Sequence, residues 1–236
     1  MKLSLVPTPI GNLEDASMRM IRTLREADLI LAEDTRNTAF LLRHYQIETP
    51  LKSHHQHNEH KLLNWCVEQL RSGKHFALVS DAGTPGISDP GFLLVRACAE
   101  ANILVECLPG PVAFVPALVA SGLPSDRFVF EGFLPPKKGR SGRLNLLRNE
   151  DRTIIFYEAP HRIAKFLEEL IQHFGPLRKA SLAREISKVH ETFHRGTLME
   201  LLNQFTDFPP KGECILVVAG KENHKKQQTE KSSELL

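Results

Sequence analysis

The order of its apolar segments most constrains what this chain can fold into. Over the first 110 residues, short apolar runs alternate with helical patterns. Leu3–Val6, Asp28–Ala32, Phe76–Ser80 and Ile103–Leu108 have the length and composition of strands. Between them lie helical patterns: from a cap at Asp15 to about Ala27, from Thr35 to about Tyr45, from a cap at Asn58 with Leu62, Leu63, Cys66, Val67 and Leu70 on one face, and from Asp89-Pro90 to about Ala101. Strands separated by helices must be joined by crossovers, so this half predicts a mostly parallel α/β sheet.

The second half is ordered differently. Arg127–Phe133 and Thr153–Glu158 read as strands, and so does Glu213–Ala219. Ile163, Phe166, Leu167, Leu170, Ile171 and Phe174 keep helical spacing up to Gly175-Pro176, and Thr197 with Glu200 forms a capping-box pattern. We therefore expect two α/β domains, 1–112 and 113–220. A polar tail over 221–236 is expected to be disordered.

Composition narrows the class. The 236 residues are 42% hydrophobic and 25% charged, ordinary for a globular chain. A net charge of +2 does not by itself announce a nucleic-acid binder, so any basic surface must be local. The four cysteines include no C-x-x-C pair and read as buried thiols in a reducing cytosol rather than disulfides or zinc ligands. The N-terminal apolar run is broken by Pro7, Pro9, Gly11 and Asn12 and does not read as a signal peptide. The apolar region 103–124 carries Glu106 and four prolines, which makes it a poor membrane span.

The most informative stretch runs from Ser80 to Gly91, S-D-A-G-T-P-G-I-S-D-P-G. It follows a strand and leads to a helix, the place where open α/β sheets bind ligands. Its glycines allow close backbone approach, and Asp81 at the strand end can accept from a ribose or an ammonium group. A tight turn punctuated by Gly and Pro explains the same residues. No G-x-G-x-x-G follows a strand and no G-x-x-x-x-G-K-[ST] occurs, which argues against an ordinary dinucleotide fold and a P-loop NTPase. His54, His55, His57 and His60 read as a polar helix lead-in, with metal binding as the other possibility.

In order along the chain stand V-P-T-P-I-G-N-L (6–13), A-E-D-T-R (32–36), the 81–91 loop, L-P-G-P (108–111), F-E-G-F-L-P (130–135), F-Y-E-A-P-H-R (156–162), A-R-E with Lys188 (183–188) and K-G-E (211–213). Over about residues 3–220 this set resembles the tetrapyrrole methylase superfamily, in its branch that methylates small-subunit ribosomal RNA. The resemblance implies two α/β domains with S-adenosylmethionine in the cleft between them, a homodimer, and a cytoplasmic enzyme. It implies 2′-O-methylation of a cytidine in the decoding region, on free RNA or the assembled small subunit. It implies cofactor contacts at Pro9, Asp81, Gly83, Thr84, Val112, Ala113, Tyr157 and Gly212.

Given that reaction, the expected catalytic group is Lys188, Glu33, Asp34, Arg36 and Glu185, with Glu158 and Arg184 also considered. A carboxylate can accept the 2′-hydroxyl proton and a cation can stabilise the alkoxide. The chemistry requires no metal. Glu33–Arg36 can equally be a helix cap with an ion pair. The basic run containing Lys137, Lys138, Arg140 and Arg143 is the expected RNA contact, since clustered Lys and Arg attract phosphates. A solvated loop is its plainer explanation. The rival functions are methylation of a tetrapyrrole or other small molecule, and a non-catalytic ribosome-binding module.

Overall fold

The four apolar runs of the first half become four of the five parallel strands in the computed structural model, which describes residues 1–221; the fifth, Leu51–Ser53, is not one that the apolar pattern predicts. The chain divides into two compact units, Met1–Ala113 and the residues from Phe114 on. In the first unit, β1 (Lys2–Leu5), β2 (Leu29–Ala32), β3 (Leu51–Ser53), β4 (His75–Val79) and β5 (Leu104–Cys107) pair in the order β3-β2-β4-β1-β5. The helices are α1 (Met18–Glu26), α2 (Thr35–His44), α3 (Glu59–Arg71) and α4 (Phe92–Glu100).

Strand alternation sends side chains to two cores. Val6, Ile30, Ala32, Ala77 and Val79 meet Met20 and Leu24 of α1 and Leu41 and Leu42 of α2. Leu3, Leu5, Leu31, Phe76 and Leu78 meet Cys66 and Leu70 of α3 and Leu94 and Cys98 of α4. Each fully buried Leu or Phe contributes about 1.5–3 kcal/mol of transfer free energy, so both helix layers are held to the sheet. The connection leaving β1 crosses to β2, and the one leaving β4 crosses the other way to β5. The adjacent carboxyl ends of β1 and β4 therefore form a topological switch point, where the two loops diverge and leave room for a ligand.

Three local expectations are corrected. Asp15 ends a 3-10 turn over Leu13–Asp15, and Ser17 caps α1 by accepting from the Met20 N–H at 3.0 Å. Asp89 does not cap α4. That helix starts two residues later, after Gly91 at φ 142°, where a Cβ would come within 3.0 Å of Leu78. Asn58 precedes α3 but makes no side-chain cap; its Oδ1 accepts from the His55 N–H at 2.8 Å and its amide donates to the Ser53 carbonyl at 3.1 Å. Of the cysteines, Cys66, Cys98 and Cys214 are buried and Cys107 is exposed. Burial pushes the Cys66 thiol up to about 12.

The second unit holds α5 (Phe114–Val119), β6 (Phe128–Phe133), α6 (Arg140–Leu147), β7 (Thr153–Glu158), α7 (Ile163–Phe174), β8 (Lys179–Arg184), β9 (Thr192–Thr197), α8 (Leu198–Phe205) and β10 (Cys214–Val218). Its sheet runs β6-β7-β10-β8-β9, with β6 parallel to β7 and the remaining pairs antiparallel. The apolar faces of α6, α7 and α8 cover one side, packing Leu144, Phe166, Leu170 and Leu201 on Ile154, Phe156, Leu182 and Leu216. On the other side, Phe114 of α5 stacks on Phe130 with ring centres 4.6 Å apart. Thr197 and Glu200 close the expected capping box. The tail expected over 221–236 lies, from residue 222 on, outside the described residues. Among the described residues no helix is long and apolar enough to cross a membrane.

Candidate functional site

The strand-end loops of the first unit are stitched together by backbone. Thr8 and Gly83 exchange N–H···O bonds of 2.9 and 3.0 Å, joining the loop after β1 to the loop after β4. The Thr84 hydroxyl donates to the Pro111 carbonyl at 2.9 Å, tying in the loop after β5. Ser80 is buried, its carbonyl accepts from the Thr8 hydroxyl at 3.4 Å, and its own hydroxyl donates to Gly83 at 3.3 Å. The expected cofactor residues Pro9, Asp81, Gly83, Thr84 and Val112 thus come from three loops at one edge of the sheet; Ala113 closes the first unit. Substrate-sized ligands in α/β sheets sit on such edges.

This edge is acidic. The Asp34 N–H donates to Asp81 Oδ1 at 3.0 Å, and the backbone of Asp81 hydrogen-bonds to the Glu33 carboxylate. Asp89 lies beside Ser80 and faces Glu33 and Asp81. Burial first, and then the charge of Asp81, raise Glu33 above the ordinary carboxylate range. Burial, reinforced by Glu33, pushes Asp89 up to about 6. Carboxylates crowded in this way favour a cation among them, and S-adenosylmethionine carries positive charge at its sulfur and its ammonium group. The donor set therefore fits that molecule.

Asp34 and Arg36 behave as a cap and its ion pair. Asp34 Oδ1 accepts from the Arg36 N–H at 2.8 Å, and the guanidinium bonds both carboxylate oxygens, the shortest contact being 2.6 Å. Those bonds hold Asp34 down to about 2, too weak a base to take a hydroxyl proton at neutral pH. Glu33 is the better proton acceptor of the pair.

Among the histidines, His54 is buried and burial holds its ring neutral, while His55 and His57 meet edge to face with centres 5.7 Å apart. Among the described residues no group of three His, Cys, Asp or Glu side chains is placed to hold a metal ion.

In the second unit, Lys188 sits on the turn between β8 and β9. Its Nζ donates to Glu185 Oε1 at 3.0 Å and lies 3.1 Å from Glu213 Oε2. Burial works against its charge, but the hydrogen bonds it donates to Glu185 and Glu213 outweigh that and raise its pKa above the ordinary lysine value. It can stabilise an anion and cannot serve as a base. Glu185 also accepts from the Glu213 N–H at 2.8 Å. Glu185 and Ser187 both adopt left-handed backbone, at φ 54° and 67°, strain of a kind that collects at functional turns. Gly212 has a packing reason of its own: a Cβ there would collide with the Glu185 carboxylate. Arg184 is committed to holding this turn, bonding Thr192, Lys211 and His190. Tyr157, on β7, packs its ring edge to face against Phe130 and Phe133, with centres 5.2 and 5.4 Å away.

The basic run divides. Lys137 and Lys138 are exposed on the loop before α6. Arg143 is half-exposed and forks onto Glu131 at 2.6 and 2.7 Å. Arg140 departs from the expected RNA contact: it is only 6% exposed and donates to Glu158 at 2.9 Å and to Glu169 at 2.6 Å. The helical turn that follows Gly139 points its guanidinium inward, where two carboxylates compensate its burial. Glu158 is thereby also consumed, and it lies 3.4 Å from Arg162 as well. Asp89 and Glu213, which sequence reasoning left out of the site, could have been found only by pairing them with residues distant in sequence or across a turn.

Comparison with known proteins gives the family. The family model of tetrapyrrole (corrin/porphyrin) methylases matches residues 2–202. The chain is 53% identical over 219 residues to the ribosomal RNA small subunit methyltransferase I of Synechocystis, covering 92% of this chain and 78% of that protein. It is 46% identical to the protein of the same name from Thermotoga maritima, covering 94% and 99%. Among solved structures, uroporphyrin-III C-methyltransferase from Thermus thermophilus complexed with S-adenyl homocysteine has the same fold, with a TM-score of 0.64, 17% identity and coverage of 93% and 97%. The chain belongs to the tetrapyrrole methylase family, among its ribosomal RNA small subunit methyltransferase I members.

Proposed function

We propose that this chain, as two domains divided after Ala113, is a cytoplasmic, homodimeric enzyme that methylates the ribose 2′-oxygen of a cytidine in the decoding region of small-subunit ribosomal RNA. The observation that carries the reading is the three-loop edge around Asp81, in a chain about half identical to methyltransferases named for that RNA. S-adenosylmethionine supplies, when bound, a methyl group already activated by a positive sulfur. The chain's own work is binding, orientation and the handling of one proton.

Pro9, Asp81, Gly83, Thr84, Val112 and Ala113 on the first unit, with Tyr157 and Gly212 on the second, are the residues assigned to the methyl donor. Asp81, held by the Asp34 N–H, offers its carboxylate to a ribose or ammonium group. Glu33, raised by burial and by Asp81, is the proton acceptor for the 2′-hydroxyl. Asp34 and Arg36 hold the start of α2 and so the position of Glu33. Lys188, kept charged by Glu185 and Glu213, stabilises negative charge developing on the 2′-oxygen. Lys137, Lys138 and Arg143 meet RNA phosphates.

The test is methyl transfer from labelled S-adenosylmethionine, with small ribosomal subunits, their naked RNA and a tetrapyrrole as acceptors. Label in one cytidine ribose, lost with Asp81→Ala in a folded protein, is the expected result. Label in the tetrapyrrole alone, or in none of the three, would overturn the reading.

A further inference from the structure

The chain's one tryptophan lies at the end of the first sheet opposite the Asp81 loop. Trp65, on α3, stacks on the buried Phe76 with ring centres 5.8 Å apart and planes 28° from parallel. The Lys52 ammonium lies over the indole, 4.7 Å from its centre. These residues, with Asp28, Leu29, Leu51 and Lys74, line an open pocket of about 300 Å³ at the amino ends of β2, β3 and β4. Trp65 is only half-buried, and Lys74 is exposed.

The chemistry of this pocket is a flat aromatic floor between two lysines. An indole face binds any nucleobase by stacking, and lysines within a side chain's length bind the phosphates on either side. Lys52 is long and flexible, so its ammonium can leave the indole for a phosphate while a base takes its place. Asp28, whose Oδ2 already accepts from the His75 N–H at 2.7 Å, is an acceptor of the kind that meets the exocyclic amine of cytosine. We propose that this pocket is a nucleotide-docking site, at which one unpaired base of a single-stranded RNA segment lies on Trp65 while Lys52 and Lys74 take the flanking phosphates. The proposal rests on RNA being the substrate. It adds an RNA-binding place at the far end of the sheet from the methyl-donor loops, so that the RNA is gripped at two separated positions.

The single tryptophan makes the site directly readable. A pyrimidine RNA decamer is titrated into the full chain while Trp65 emission is followed, with inorganic phosphate alone as the control, and total binding is measured by filter retention. The expected result is saturable quenching by the decamer and none by phosphate. In the double variant Lys52→Ala/Lys74→Ala the log–log salt slope of binding should fall by about 1.4, two phosphates at about 0.7 each. Both lysines lie outside the cores, so the variant keeps its fold, and its melting temperature checks this. Decamer retention with no change in Trp65 emission, an unaltered salt slope, or equal quenching by phosphate would each overturn the proposal. Methylation of small subunits, assayed in parallel, separates the two readings. Full methylation without a Trp65 signal removes the pocket and leaves the enzyme's function standing, whereas loss of both removes the RNA reading as well.

Discussion

The guanidinium of Arg140 donates to the carboxylate of Glu158 at 2.9 Å with both side chains shut away from solvent. A second carboxylate, Glu169, takes the Nε at 2.6 Å, and the guanidinium rests 4.7 Å from the centre of the Phe166 ring. Removing one member leaves an uncompensated buried charge. Arg140→Ala should therefore destabilise the protein by about 3–5 kcal/mol, read as a shift in the urea midpoint. RNA affinity, measured at a temperature where the variant is still folded, should be unchanged.

The exposed part of the same basic run should behave in the opposite way. Replacing Lys137 and Lys138 together by Gln removes charge from a solvated surface and should change stability by no more than about 1 kcal/mol, whereas Arg143, which covers the buried Glu131 carboxylate, is left in place. It should lower the salt slope of RNA binding by roughly 0.7 for each phosphate that is no longer neutralised. Filter binding at several salt concentrations reads the slope. An unchanged slope would mean that the two lysines only solvate their loop.

Lys188 is held by Glu185 at 3.0 Å and by Glu213 at 3.1 Å. Lys188→Met keeps the length of the side chain and deletes the cation. Single-turnover methyl transfer should drop by about 100-fold or more, with the affinity for S-adenosylmethionine intact. A rate within a few-fold of the parent would reassign Lys188 to the structure of its turn.

Asp89 couples stability to pH. Its folded value of about 6 lies above the ordinary 3.8. Below the lower figure it is protonated whether folded or not and has no effect. Between the two, the unfolded chain has lost the proton and the folded chain still holds it, so a penalty against folding grows with pH. Above about 6 the folded protein carries a charge facing Glu33 and Asp81, and the penalty is complete. Asp89→Asn keeps the shape of the side chain and removes the charge. It should stabilise the protein by about 1–2 kcal/mol near pH 7.5, solvent screening having reduced an upper figure of about 3, and should have no effect near pH 3.5. Equilibrium unfolding at the two pH values checks the difference.

Local chemistry set much of this protein directly from its sequence. Apolar runs of strand length, spaced by amphipathic helices, dictated a parallel sheet in the first unit, because parallel strands need crossovers. The spacing of Ile163 through Phe174 settled α7, and Thr197 with Glu200 settled the start of α8, since period and cap act within a few residues. The place of the 81–91 loop between a strand and a helix was legible for the same reason, as strand ends and glycines are local signals. Tertiary structure alone decided what each charge does. Arg140 and Lys137 are three residues apart in one basic run, yet a single helical turn buries the first against Glu158 and leaves the second in water. Asp89 reads as a helix cap, but the fold turns it toward Ser80, Glu33 and Asp81. The strands β3 and β9 carry too little apolar patterning to announce themselves and form because a neighbouring strand offers unpaired backbone. A side chain's charge is written in the sequence, while its partners and its exposure to solvent, which determine whether that charge binds, catalyses or only holds the fold, come from residues that meet only after the chain has folded.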